Sequence, residues 1–193
     1  MNSEVQTPKL DLDALRSGDR AEYARMVETC SGQIYRLALK MLRNPQDAED
    51  VLQETFIKAY RALPKFEGRS KISTWLYRIA TNESLMFLRR QRPEPISIDR
   101  PTDDEEQTPL QIVDWCCLPE GELLSTEARA HLDQSVDQLS DTLKVVFLLR
   151  DIERLSTRET AEILGLTETA VKTRLSRARL RLRDLLSSYY GEL

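Results

Sequence analysis

Residues 157–176 read TRETAEILGLTETAVKTRLS, and their spacing decides the fold. A helix-turn-helix needs a small residue where its helices cross closely, a glycine that turns the chain, and an apolar residue that docks the second helix back. Ala161, Gly165 and Val171 meet these needs, four and six residues apart. Leu164 and Leu166 are expected to supply the core between the helices, with Ser156 capping the first and Thr167 the second. Beyond the turn, Val171, Leu175, Ala178, Leu182 and Leu185 step by four and three residues and form one buried seam. Lys172, Arg174, Arg177, Arg179, Arg181 and Arg183 lie off that seam, and no acid interrupts residues 169–183. Thr169, Thr173 and Ser176 are interleaved at the N-terminal end, the part of such a helix that approaches base edges in a major groove. A solvated basic helix accounts for the charges but not for the turn spacing that accompanies them.

Outward from this motif the pattern stays helical. Ser140 precedes a helix reaching about Arg150, and helices resume from about Glu120. Pro93, Pro95, Pro101, Pro109 and Pro119 interrupt any helix between, and Asp103-Asp104-Glu105-Glu106 is a run of like charge, so this stretch reads as a linker. From Leu10 to Arg92 four helices are expected, broken at Ser17-Gly18-Asp19, Asn44-Pro45 and Pro64–Gly68. Glycine is scarce, with six in 193 residues, and no strand-like alternation is sustained. The chain is therefore expected to be all-α. Its expected parts are a tail over 1–9, a helical domain over 10–92, an acidic, proline-containing linker over 93–119 and a helix-turn-helix domain over 120–193.

Charge is distributed to match. The net charge of −4 hides two basic blocks: 31–92 has twelve Lys/Arg against six acids, and 171–193 has six against two. Between them, 93–122 has one arginine against nine acids. Those acids are either a solvated spacer or a segment able to fold back on a basic surface. No apolar run approaches the roughly 18 residues needed to span a bilayer, and Met1–Leu10 lacks the build of a signal peptide, so a cytoplasmic chain is expected. Cys30, Cys116 and Cys117 include no CxxC pair and His131 is the single histidine, so neither a disulfide framework nor a metal site is expected. Cys116 and Cys117 read as small apolar side chains beside Trp115. There is no Gly-rich phosphate loop and no GxSxG or HExxH, so an enzyme is not expected, nor a cofactor.

Two further stretches carry information. Residues 66–92 (FEGRSKISTWLYRIATNESLMFLRRQR) interleave Arg69, Lys71, Arg78, Arg89, Arg90 and Arg92 with Trp75, Tyr77 and Asn82, a mixture that suits opened DNA. Trp75 is expected in the core. Residues 46–61 (QDAEDVLQETFIKAYR) open with Asp47, Glu49, Asp50 and Glu54, on a helix whose buried stripe is Ala48, Val51, Leu52, Phe56, Ala59 and Leu63. Those acids either complement the helix dipole or face a basic partner, and the residues alone leave both open.

With these three stretches the chain resembles the bacterial sigma factors of the extracytoplasmic-function (ECF) type. DAEDVLQETFIKAYRAL resembles the family's polymerase-binding helix, STWLYRIATNESLMFLRR its −10 helix and RETAEILGLTETAVKTRLSRAR its −35 helix-turn-helix. The resemblance implies a monomer when free that binds core RNA polymerase and directs initiation at promoters with −10 and −35 elements, in a stress or envelope response. An anti-sigma factor is implied as a further partner, holding the protein at the inner membrane. Asp47, Asp50, Gln53, Glu54 and Phe56 would bind polymerase. Gly68, Arg69, Ser70 and Lys71, with Asn82, would hold an unstacked −10 base, and Arg89, Arg90 and Arg92 the backbone nearby. Lys172, Thr173, Arg174, Ser176 and Arg177 would read the −35 duplex. The 27-residue linker reaches roughly 90 Å at about 3.3 Å per residue, more than the ~70 Å of two duplex turns.

Overall fold

The computed structural model describes residues 10–91 and 126–190, with side chains described over 10–91 and 131–187. Eight α-helices make up nearly all of it: α1 (Leu12–Arg16), α2 (Arg20–Leu42), α3 (Pro45–Ala62), α4 (Ile72–Gln91), α5 (Thr126–Asp137), α6 (Asp141–Phe147), α7 (Thr157–Leu164) and α8 (Glu168–Tyr190). Among the described residues there is no strand. The linker, with Cys116 and Cys117, and Arg92 lie outside the described residues.

Each break in the first four helices has a local cause. The side chain of Asp11 accepts from the Asp13 and Ala14 N–H groups, and that of Asp19 from Glu22 N–H, so two short polar residues start α1 and α2. Asn44 caps α3, with Pro45 in the first turn, where a missing N–H costs nothing. Arg43 takes the left-handed conformation (φ 63°) that ends α2. A 3-10 turn, Leu63–Lys65, then leads into the extended Phe66.

Packing follows the periodicity. Met26, Cys30, Ile34, Leu37 and Met41 line one face of α2 and meet Phe56 and Ala59 of α3 and Leu76, Tyr77 and Ala80 of α4. In the second half, Val145, Val146, Leu148, Leu149, Ala161 and Ile163 close on the α8 seam of Val171, Leu175, Ala178 and Leu182. Here two expectations need correction. Ile163 is buried, whereas Leu164 and Leu166, on either side of the turning Gly165, only pack against the edge of the core. The helix expected to run to Arg150 instead loosens at Leu148–Ile152 into a π-helical turn. The Glu153 N–H reaches back to Leu148 O (2.9 Å), which widens the turn and leaves both Leu148 and Leu149 buried.

The two helical units also pack on each other, and one hydrophobic cluster runs from Leu15 to Leu182. The Tyr77 hydroxyl donates to Glu153 Oε2 at 2.6 Å. Burial first, and then the Glu153 carboxylate, push that hydroxyl's pKa well up. Buried Lys144 donates to Met41 O (3.3 Å) and to Asp137 Oδ1 (2.9 Å), and Asp137 also pairs with Arg43. Lys71 Nζ lies 3.0 Å from Glu159 Oε1.

Glu159 does more than meet Lys71. It completes a reciprocal cap on α7: Glu159 N–H donates to Ser156 Oγ (3.1 Å), while Ser156 N–H (2.9 Å) and its hydroxyl (2.7 Å) donate to Glu159 Oε2. The bonds from Ser156, and then Lys71, hold the Glu159 carboxyl at about 2, below its ordinary 4.5. A carboxyl whose pKa falls on folding stabilises fully above its unfolded value, and that gain is lost as pH drops from 4.5 toward 2. Glu159→Gln should therefore lower the melting temperature at pH 7 by the equivalent of about 0.5–1 kcal/mol, the scale of a charge at a helix N-terminus. The gap between thermal melts of wild type and variant should narrow as pH falls from 5 to 3, without yet closing. A gap that stays constant over that range would show that the charge contributes nothing.

Candidate functional site

Three surfaces carry the candidate residues. The first is the helix-turn-helix. Gly165 closes α7 in the left-handed conformation (φ 65°), which is cheap without a Cβ, and Leu166 N–H bonds to Ala161 O at 3.0 Å. Thr167 Oγ1 accepts from Ala170 N–H (3.1 Å) and starts α8. With Val171 fully buried, α8 is held by one face. Lys172 and Arg177 are exposed, and Thr173, Arg174 and Ser176 are half-buried on the flanks. Arg179 departs from the free basic face expected for it. Its Nε and Nη2 form a fork on Asp151 at 2.9 and 2.7 Å, so it braces α8 against the π-helical turn. Nothing local in the sequence couples these two residues, 28 positions apart.

The second surface is the loop between the 3-10 turn and α4. Gly68 is left-handed (φ 75°), Arg69 pairs with Glu67 at 2.5 Å and Lys71 with Glu159. Gly68, Arg69, Lys71 and Asn82 are exposed and Ser70 is half-buried. Asn82 is eleven residues beyond Lys71, so it lies on the same side of α4 but about 16 Å along its axis. Arg78, also exposed, stands between them, and Arg89 continues the row at the next seven-residue step. Arg78 is among the basic residues that the 66–92 pattern marks as suited to opened DNA, although the family resemblance assigns it no role. Arg90 is exposed beside the third surface. Tyr77, expected among the DNA-facing groups, is buried, and Trp75 stacks on Phe66 with ring centroids 4.8 Å apart.

The third surface is a groove of about 410 Å³ between α3 and α4, lined among others by Asp50, Gln53, Glu54, Ile57, Lys58 and Met86. Lys58 lies between Glu83 (2.6 Å) and Glu54 (3.5 Å); its hydrogen bond to Glu83, foremost, raises its pKa. Asp47 accepts from the Gln91 side chain at 3.2 Å, at the edge of this region. Phe56 must be corrected. It points into the core at 7% exposure, because position 56 falls on the seam it shares with Leu52, Ala59 and Leu63 and away from Asp50 and Ile57. The exposed large apolar groups of α3 and α4 are Ile57 (45%) and Met86 (40%), which line the groove, and Tyr60 (49%), none of them among the expected site residues. An unbroken apolar–acidic mixture on one helix face was the signal.

Residues 26–94 match the family model for sigma-70 region 2, and residues 129–182 that for sigma-70 region 4. Over 180 residues the chain is 36% identical to the ECF RNA polymerase sigma factor SigW of Bacillus subtilis (strain 168), covering 92% of this chain and 96% of the relative. The chain belongs to the ECF sigma factors. It is likewise 33% identical over 181 residues to the ECF RNA polymerase sigma-E factor of Haemophilus influenzae, with 92% and 94% of the two chains covered. Two solved structures share the fold: CnrH in complex with the cytosolic domain of CnrY (TM-score 0.67, 24% identity, 92% and 95% coverage) and RpoE in complex with the anti-sigma factor NepR from Bartonella quintana (0.63, 23%, 86% and 97%).

As a sigma factor the protein acts in promoter-specific initiation with RNA polymerase and is not an enzyme. The groove and the 68–71 loop fall in the region 2 match, and the helix-turn-helix falls in the region 4 match. Helix α1 precedes both. No helix among the described residues is long and apolar enough to cross a membrane.

Proposed function

We propose that this sigma factor docks on core RNA polymerase through the acidic and apolar groove of Asp50, Gln53, Glu54 and Ile57, with Asp47 at its edge. It holds an unstacked −10 base at Gly68, Arg69, Ser70 and Lys71, with Asn82, Arg89, Arg90 and Arg92 taking the strand beyond. Lys172, Thr173, Arg174, Ser176 and Arg177 read the −35 duplex. The observation that carries this reading is the seam of α8, which buries Val171 and Leu175 while leaving Lys172 and Arg177 exposed and Thr173, Arg174 and Ser176 half-exposed on its flanks. Base edges are then offered a row of cations and short hydroxyls without any cost to the core.

Lys71 and Glu159 touch in the packed arrangement, so the −10 loop and the helix-turn-helix sit side by side. Two turns of duplex need about 70 Å between contact sites. Promoter engagement therefore separates the two units, with the 93–119 segment as tether. An anti-sigma factor, of the kind that NepR is for RpoE, would bind the packed form and hold the protein near the membrane. The test is transcription by core polymerase on fragmented genomic DNA with and without the full chain. Discrete start sites that require the chain are expected, preceded by a shared upstream motif. Failure to co-elute with core enzyme, or transcripts with no common motif, would sink the reading.

A further inference from the structure

We propose that Arg16, on the short helix α1, is a positioning residue that sets the −10 loop in its reading conformation. The proposal rests on the assignment of residues 68–71 as the −10 contact. The loop is anchored at its root, Phe66, in three ways. Phe66 N–H bonds to Leu63 O at 3.0 Å, its ring packs on Trp75, and its carbonyl accepts from Arg16 Nε at 2.8 Å. This last bond bridges fifty residues of sequence and is the one that comes from outside the loop's own neighbourhood.

The guanidinium is itself held. Arg16 Nη1 bonds to Asp13 Oδ1 at 3.1 Å, and Asp13 is fixed in the first turn by the Asp11 cap. Leu15 of the same helix is 1% exposed, so α1 is docked by an apolar anchor that does not involve Arg16. The third nitrogen reaches Gly68. A Cβ built there would lie 3.2 Å from Arg16 Nη2 and 3.6 Å from Leu12 Cδ1. Gly68 is thus roofed by α1: a Cβ there would press on the Arg16 guanidinium, and the left-handed backbone itself disfavours any residue but glycine. Arg69 and Lys71 leave this roofed glycine with side chains 85% and 77% exposed. Two long, exposed side chains, paired only at their tips with Glu67 and Glu159, do not fix their own origin. Their starting points depend on the backbone from Phe66 to Gly68, which the planar guanidinium fork of Arg16 holds from above with one prong, Nε, on the Phe66 carbonyl and the other, Nη1, on Asp13. Selectivity for an unstacked base depends on sub-ångström placement of such donors, so loss of the fork should blur base choice without removing any DNA contact.

The test uses the full chain with core polymerase and a DNA pool that carries a −35 element selected by the wild-type holoenzyme and a randomised −10 segment. Templates that yield transcript are sequenced, and base preference is read position by position. Arg16→Ala should flatten the strongest −10 preference by about tenfold, the scale of one base mismatch. Preference over a randomised −35 segment and co-elution with core enzyme should stay as in wild type. Arg16→Lys can give one bond to the Phe66 carbonyl but no fork, so it should fall between wild type and Arg16→Ala. Wild-type −10 preference in Arg16→Ala, where Lys71→Ala or Arg69→Ala loses it, overturns the positioning role and spares the loop assignment. Wild-type preference in Arg69→Ala and Lys71→Ala as well overturns the loop assignment and this proposal with it. Equal flattening at −10 and −35 marks a general folding defect and also overturns it.

Discussion

Reversal of Asp50 and Glu54 to lysine together should abolish co-elution of the chain with core RNA polymerase. Both acids line the α3/α4 groove, Asp50 exposed and Glu54 with a side chain 44% exposed. They stand beside Ile57, which is too exposed for a core residue. A mixed acidic and apolar groove suits the basic, apolar-faced partner helix proposed for it, and like charges set opposite such a partner would cost several kcal/mol. At about 1.4 kcal/mol per tenfold, the affinity should fall at least a hundredfold. The fold should survive. Lys58 keeps Glu83 when Glu54 is reversed, and the helix face buried in the core carries Val51, Thr55, Phe56 and Ala59, none of them altered. The measurement is gel filtration of double mutant with core enzyme, next to a thermal melt of the free chain. Wild-type co-elution would remove the groove from the polymerase contact.

Arg174→Ala and Arg177→Ala should each weaken promoter-specific transcription by about ten- to a hundredfold, as loss of a bidentate base contact costs about 1–3 kcal/mol. Both project off the Val171–Leu175 seam, so melting temperature should hardly move. Arg179→Ala is the contrasting variant. Its fork on Asp151 is part of the fold, so here the melt should shift while the base preference is kept. If Arg174→Ala and Arg177→Ala both transcribe at the wild-type level, the face of α8 turned to DNA has been wrongly assigned. A lower level with unchanged preference among −35 bases would instead place the two arginines on phosphates.

Much of this protein follows from local pattern. The 3.6-residue period of α2, α3 and α8, the short polar caps at Asp11, Asp19, Asn44, Ser156 and Thr167, and the turn at Gly165 are all relations between residues a few positions apart. A single helix or turn realises them wherever it sits. That is why the first four helices break where expected and why α8 could be read with its buried seam from Val171 to Leu182, although Leu185, expected to continue it, is only half-buried. The π-helical turn after Phe147 escaped, because Leu148, Leu149 and Ile152 fit a regular helix as well as a widened one. The choice was made by burying both leucines and aiming Asp151 at Arg179.

Which charged residues brace the fold was decided only in three dimensions. Arg174, Arg177 and Arg179 lie on one helix in one basic run, yet Arg179 alone among them meets Asp151, from a turn 28 residues earlier. Phe56 carried both a core and a surface assignment until the packing of α3 gave it the core. Arg16 reaches Phe66 across fifty residues, and Tyr77 reaches Glu153 across 76. A charge announces that it will seek a partner or water, but its partner is chosen by which helices the apolar seams bring together. Apolar periodicity acts along a few turns and is written locally. Pairing across the fold depends on distances that exist only after those seams have closed.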